Sequence, residues 1–219
     1  MAFRALQSAP RHATAEVKLV DNVNASGGIS LSLNSTANIQ CINLIQSGSG
    51  FFNRVGRRIE MQSLHVTGEV NQTTTATTYN DYARILVIYD RQTNGALPSY
   101  ATIMAAYDQS GTASTTYLSG VNPDERERFL VLMDQRLVLP ACPGGSGVTG
   151  ATDGPAVTFN INRFLKLRNL TTHYKADSSP SVIGDIATGS LYIIGVGRAA
   201  SGSEGWQCNL NIRLRYKDT

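Results

Sequence analysis

The side chains in this sequence best placed to do chemistry are basic, and they fall into three groups. Arg54, Arg57 and Arg58 lie within five residues. Arg213, Arg215 and Lys217 recur at every second position, so an extended strand turns all three to one face, opposite Trp206, Cys208, Leu210, Ile212, Leu214 and Tyr216. Lys166 and Arg168 repeat that spacing, whereas Arg163 has the other parity. Such groups suit the capture of phosphate oxygens, because a guanidinium presents five N–H donors in a planar fork and an ammonium presents a compact charge. Each group also has a plainer reading. The first could be a solvated turn or a salt bridge between subunits, and the closing strand could pair with acidic residues of a neighbour.

Covalent and metal chemistry find little support. His12, His65 and His173 stand apart, with no closely spaced histidine–acid motif of the kind that holds zinc. Asp81, Asp90 and Asp134 could meet in space, but Asp90 is better read as organising the Asn94–Gly95 turn. Cys41, Cys142 and Cys208 have no metal-ligand spacing and read as buried free thiols. Gly144, Gly145 and Gly147 follow Pro140 and Pro143 and end in no lysine–serine or lysine–threonine pair, so they do not make a nucleotide-binding loop. Trp206 and Tyr79, Tyr82, Tyr89 and Tyr107 could stack on bases, but large aromatics equally suit a β-sandwich core or a subunit contact. The expectation is a protein that is not an enzyme, needs no cofactor and carries no metal site that its sequence can place, with an ion between subunits left open.

Composition narrows the class. The chain has 219 residues, 42 % of them apolar, enough for one large domain with a substantial core. Only 16 % are charged, below the usual quarter, so the surface is neutral and polar or is covered by partners. A net charge of +3 does not identify a nucleic-acid binder, since phosphate capture depends on clustered cations. No run of about 20 apolar residues suggests membrane insertion. The first twelve residues lack a secretory apolar core, so synthesis in the cytosol is expected.

The elements that must position the cations read as strands. Residues 1–26 have weak periodicity and form an N-terminal arm, and residues 27–219 form the domain. Ile29, Leu31 and Leu33 alternate with polar residues, as do Val157, Phe159 and Ile161 and the whole of 206–217. Between Arg58 and Val70 the apolar parity switches, which predicts a bulge. Tyr82–Tyr89 and Leu191–Val196 are compact apolar runs, and 126–139 carries apolar residues on both parities, as a central strand would. Ser99 could cap a short helix within 98–107, with Ile103 and Tyr107 on one face. Thr73–Thr78 reads as an exposed loop or strand end, and 140–155 as a long surface loop. Seven or more strands with almost no amphipathic helix predict an all-β fold: a single eight-stranded jelly roll of two facing four-stranded antiparallel sheets.

Several segments, in order, resemble one family. Tyr89-Asp90-Arg91-Gln92, followed by Asn94-Gly95-Ala96-Leu97-Pro98, resembles the third-strand signature of capsid proteins from small circular single-stranded DNA viruses of the circovirus-like type. Asn53–Ile59 is similar to the second-strand approach in that family, Arg128–Asp134 to a central strand, Ile183–Tyr192 to the approach to a late strand, and Arg213–Asp218 to the basic closing strand. The resemblance spans roughly residues 53–218. It implies a T=1 icosahedral shell of sixty copies around a circular single-stranded DNA genome, a virion location with assembly in the host cytoplasm or nucleus, and a host receptor or glycan as a further partner. The chain departs from the family in its arm, where only Arg4, Arg11, His12 and Lys18 are basic among the first 26 residues. The alternatives are a non-assembling β-sandwich module that binds glycans or proteins, and the capsid protein of a small RNA virus.

Overall fold

Alternating segments become paired strands in the computed structural model, which describes residues 16–22, 28–72, 80–140, 158–175, 182–200 and 206–218. The strands are β1 (Val17–Asn22), β2 (Ile29–Ser32), β3 (Asn38–Cys41), β4 (Arg58–Gln72), β5 (Asp81–Asp90), β6 (Met104–Tyr107), β7 (Ala113–Ser114), β8 (Gly120–Val121), β9 (Phe129–Leu139), β10 (Thr158–Tyr174), β11 (Ile186–Thr188), β12 (Ser190–Gly197) and β13 (Trp206–Asp218), with one helical turn, α1 (Tyr100–Ile103). One sheet runs β2-β13-β4-β10 and the other β3-β12-β5-β9, all antiparallel. Counting only these eight, the orders are 1-8-3-6 and 2-7-4-5, the jelly-roll connectivity expected from the sequence. The larger sheet is extended by β1, which continues along the β13 edge beyond β2, and by β11 on β10.

The two sheets solve the burial problem differently. In β13 the side chains of Trp206, Cys208, Leu210, Ile212, Leu214 and Tyr216 are fully buried, while Arg213 and Arg215 between them are exposed. That strand therefore has one wet face. In β5, by contrast, Ile85, Leu86, Val87 and Ile88 are all fully buried. Ile85 and Val87 face the inter-sheet core, and Leu86 and Ile88 face a second cluster with Ile103, Met104, Phe129, Tyr192 and Ile194. The segment between β5 and β9, with α1 and the small β7-β6-β8 sheet, supplies this outer cover. The smaller sheet is thus largely apolar on both faces, whereas no described element packs over the outer face of the larger sheet.

Local geometry follows the sequence in detail. Ser63 faces Arg215 and Met61 faces Tyr216, leaving Gln62 unopposed in β4. This is the bulge that lets Ile59 and Met61 on one parity and Leu64 and Val66 on the other all reach the core. Ser99 caps α1, its Oγ accepting from the Thr102 N–H at 3.1 Å. The helix is only four residues long, however, so Ile103 is buried while Tyr107 lies exposed at the end of β6 instead of sharing its face. Two of the resembling segments shift in the strand count: Asn53–Ile59 leads into the third jelly-roll strand, and the segment that begins at Tyr89 closes the fourth. Asp90 accepts from the Gln92 N–H but is buried against Arg128, with no bond to Asn94 or Gly95. β9 is covered on both faces only over Phe129–Met133 and lies at the sheet edge, not in a central place. Cys208 is buried and Cys41 partly so, both free, and burial pushes each thiol up to about 12. Cys142, Tyr79, His12 and the 140–155 and Thr73–Thr78 loops lie largely or wholly outside the described residues.

Gly189 provides a direct test of this packing. Its φ of +82° is left-handed, and a Cβ there would run into the Thr171 carbonyl oxygen. Its own carbonyl accepts from Asn43 Nδ2 at 2.9 Å and Thr172 Oγ1 at 2.8 Å, a buried link between the sheets. Gly189→Ala should lower the melting temperature by about 5 °C or more, read by thermal unfolding.

Candidate nucleic-acid interface

Pairing register assembles the scattered cations. Across the open face of the larger sheet, Leu19 of β1, Arg215 of β13, Ser63 of β4 and Lys166 of β10 form one transverse row. Asp21, Arg213, His65 and Phe164 form the next. Directly opposed residues in an antiparallel ladder share a face, so Arg215 and Lys166 stand on either side of short Ser63. With neighbouring strands about 4.8 Å apart, they lie roughly 10 Å from one another along the row. One strand position further, Lys217 faces Glu60.

The expected residues separate by their surroundings. Arg54 is fully buried: its Nε donates to the Ile45 carbonyl at 3.0 Å, an Nη to that of Gly56 at 2.8 Å, and its guanidinium lies 4.0 Å from the Tyr174 ring centre. No phosphate can reach it. Arg57 is exposed, and Arg58 is exposed but bridged to Glu60 at 3.1 Å. Arg213 is gripped by Asp21 through two bonds of 2.7 and 2.8 Å. Arg168 and Asn169 adopt left-handed φ values of 49° and 62° where residues 167–169 bulge against Gln62. Simple alternation therefore breaks between Lys166 and Arg168, although both are exposed. Arg163 leaves the set altogether, reaching across to Gln135 of β9 at 3.2 Å. Arg215, Lys166, Arg168 and Lys217 make no ion pair with a carboxylate among the described residues.

The residues considered for catalysis do not converge. Asp90 is paired with Arg128, Asp134 with Arg84 and Asp81 with Arg198. His65 bonds Asn162 at 2.9 Å and His173 faces Arg58, and no cluster of metal-ligating side chains occurs among the described residues. Trp206 is core, its ring tilted against Phe159 at 5.9 Å. No described helix is long and apolar enough to cross a membrane.

Within the expected arm, β1 is joined to the body by two ion pairs of different kinds. Lys18 is buried, its Nζ 2.8 Å from Asp218 Oδ2 and donating to the Asn53 carbonyl at 3.0 Å, while the same Oδ2 accepts from the Val55 N–H at 3.2 Å. Asp21 and Arg213 meet at the surface, and the guanidinium hydrogen bonds hold the Asp21 carboxyl below its usual value. The sequence reading missed Lys18 and Asp21 as partners, because neither carboxylate–cation spacing is local in the chain. It also missed Phe164, whose exposure depends on which β10 face turns outward.

A family model described as the Geminivirus coat protein/nuclear export factor BR1 family matches residues 4–219. The chain belongs to that family. No curated protein matches it. Among solved structures, desmodium yellow mottle tymovirus is similar at 10 % identity with a TM-score of 0.33, over 100 % of this chain and 96 % of that one. The family match over nearly the whole sequence corrects the circovirus-like resemblance, which rested on short strand segments; the sixty-copy count attached to that resemblance loses its support with it. The chain is a structural coat protein of a single-stranded DNA virus and not an enzyme. The RNA-virus and non-assembling-module alternatives fall with that assignment.

Removing the Lys18 charge in Lys18→Met should destabilise the fold by roughly 2–4 kcal/mol in urea unfolding, because Asp218 is left with an unpaired, mostly buried carboxylate. Asp21→Asn should cost less than about 1 kcal/mol at neutral pH. Because the folded-state value of Asp21 is depressed, its contribution is complete above the unfolded carboxylate range and is lost as pH falls through the folded value. The gap between wild type and Asp21→Asn should therefore be present at pH 5 and narrow progressively as pH falls below the unfolded carboxylate range.

Proposed function

We propose that this coat protein builds a shell whose genome-facing wall includes the open face of the larger sheet, and that Arg215, Lys166, Lys217 and Arg168 contact the phosphates of a circular single-stranded DNA. The supporting observation is the row in which Arg215 and Lys166 flank Ser63 with no described carboxylate paired to either. Arg57 lies exposed just before β4 and extends the basic zone toward the loop. Arg213 and Arg58 contribute less, since Asp21 and Glu60 already neutralise them. Arg54 belongs to the fold and takes no part. Contacts of this kind neutralise backbone charge without reading base sequence, as packaging requires. A net charge of +3 per chain is compatible with that role, because a shell repeats the face in every subunit.

The experiment is salt-dependent binding of a single-stranded oligonucleotide to the full chain, with nucleic-acid content measured in assembled particles. Replacing Arg215, Lys166 and Lys217 together by Gln should flatten the log–log salt slope by about 2, at roughly 0.7 per lost contact, and lower the packaged nucleic acid. An unchanged slope together with unchanged genome content at normal assembly yield would overturn the assignment.

A further inference from the structure

We infer that Phe164 is a nucleobase-stacking residue, so that the open sheet face binds bases as well as phosphates. Phe164 lies in the interior of β10, yet 58 % of it is exposed. It is flanked on its own strand and face by Asn162 and Lys166, and across the ladder it meets His65 and then Arg213. β11 pairs with β10 only at His173 and Tyr174, so beside Phe164 the far edge of β10 is unpaired by any described strand. A lone exposed aromatic is ordinary on a protein surface. An exposed aromatic beside cations on a sheet face is the arrangement by which single strands are held without sequence preference: the cations track the backbone while bases lie on the ring.

The surrounding side chains leave the ring usable. His65 is anchored by its 2.9 Å contact with Asn162, and its ring is tilted 57° from Phe164 at a centroid distance of 6.2 Å, so the two do not stack on each other. Tyr82 provides the contrast. It lies nearly parallel to Tyr117, 16° apart at 6.0 Å, and carries Arg198 at 5.4 Å, so its ring is already engaged within the fold. Phosphates bound at Arg215 and Lys166 put the attached bases beside the row that holds Phe164.

This inference rests on the phosphate-binding role of the same face, and the test separates the two. Binding of the full chain to a labelled eight-residue oligothymidylate is compared with binding to an abasic single strand of equal length and charge. Phe164→Ala and Phe164→Leu should weaken oligothymidylate binding by about five- to 100-fold, leave abasic binding unchanged, and be rescued by Phe164→Trp. Equal loss on both ligands, or no loss on either, would overturn the stacking role. So would impaired assembly with oligothymidylate affinity intact, which would make Phe164 a subunit contact. Failure of the phosphate role has a different signature: Arg215→Gln with Lys166→Gln would leave abasic binding unchanged, whatever Phe164 does.

Discussion

The two-residue period of the last strand is the constraint on which the larger sheet depends. β13 pairs with β4 along one edge and with β2 and then β1 along the other, so three strands take their register from it. Its inward face buries six large or apolar side chains from Trp206 to Tyr216, each contributing on the order of 1.5–3 kcal/mol for the aliphatic members. A slip of one residue would exchange that face for Arg213, Arg215 and Lys217, which the core cannot accept. The outward placement of these cations is therefore fixed by the same burial that holds the sheet together.

The open face exists because the other sheet received the cover. The long connection from β5 to β9 folds over the smaller sheet and is held by two arginine–aspartate pairs in which Arg84, Arg128 and Asp90 are largely buried and Asp134 is partly exposed. Arg84, 3 % exposed, donates two bonds of 2.7 Å to Asp134 and further bonds to the carbonyls of Ser119 and Tyr117. Arg128 and Asp90 meet through two bonds of 2.9 Å. Such pairs add little net stability over an apolar substitute, but breaking one leaves a buried charge, so they fix the position of the segment. Hydrogen bonding by Arg84 keeps the Asp134 carboxyl well into its ionised form. The two sheets thus differ, the smaller being covered over much of both sides and the larger polar on its outer side.

Much of this was legible in the sequence, and the exceptions have physical causes. Strict alternation in 206–217, the parity switch resolved at Gln62 and the Ser99 cap are local patterns, and local patterns survive folding. The apolar runs of β5 and β12 read as strands for the same reason, although their cover on both faces comes from the β5–β9 connection and is not visible in the runs themselves. Arg54 was misread because its acceptors are backbone carbonyls of Ile45 and Gly56 and the ring of Tyr174, none of which a spacing argument can see. Lys166 with Arg168 was read through an alternation that the left-handed residues at 168 and 169 interrupt. Asp21 and Lys18 found partners about two hundred residues away in the chain. The family resemblance drew on short strand segments that different jelly-roll coats can share, which is why a match over 4–219 reassigned it.

The central claim, that the open face of the larger sheet meets the genome, is tested most directly by electron cryomicroscopy of assembled particles containing nucleic acid. The account predicts that this face turns toward the particle interior, with nucleic-acid density continuous across the Arg215–Ser63–Lys166 row. A particle in which the face points outward, or is sealed between subunits with the nucleic-acid density elsewhere, would contradict it.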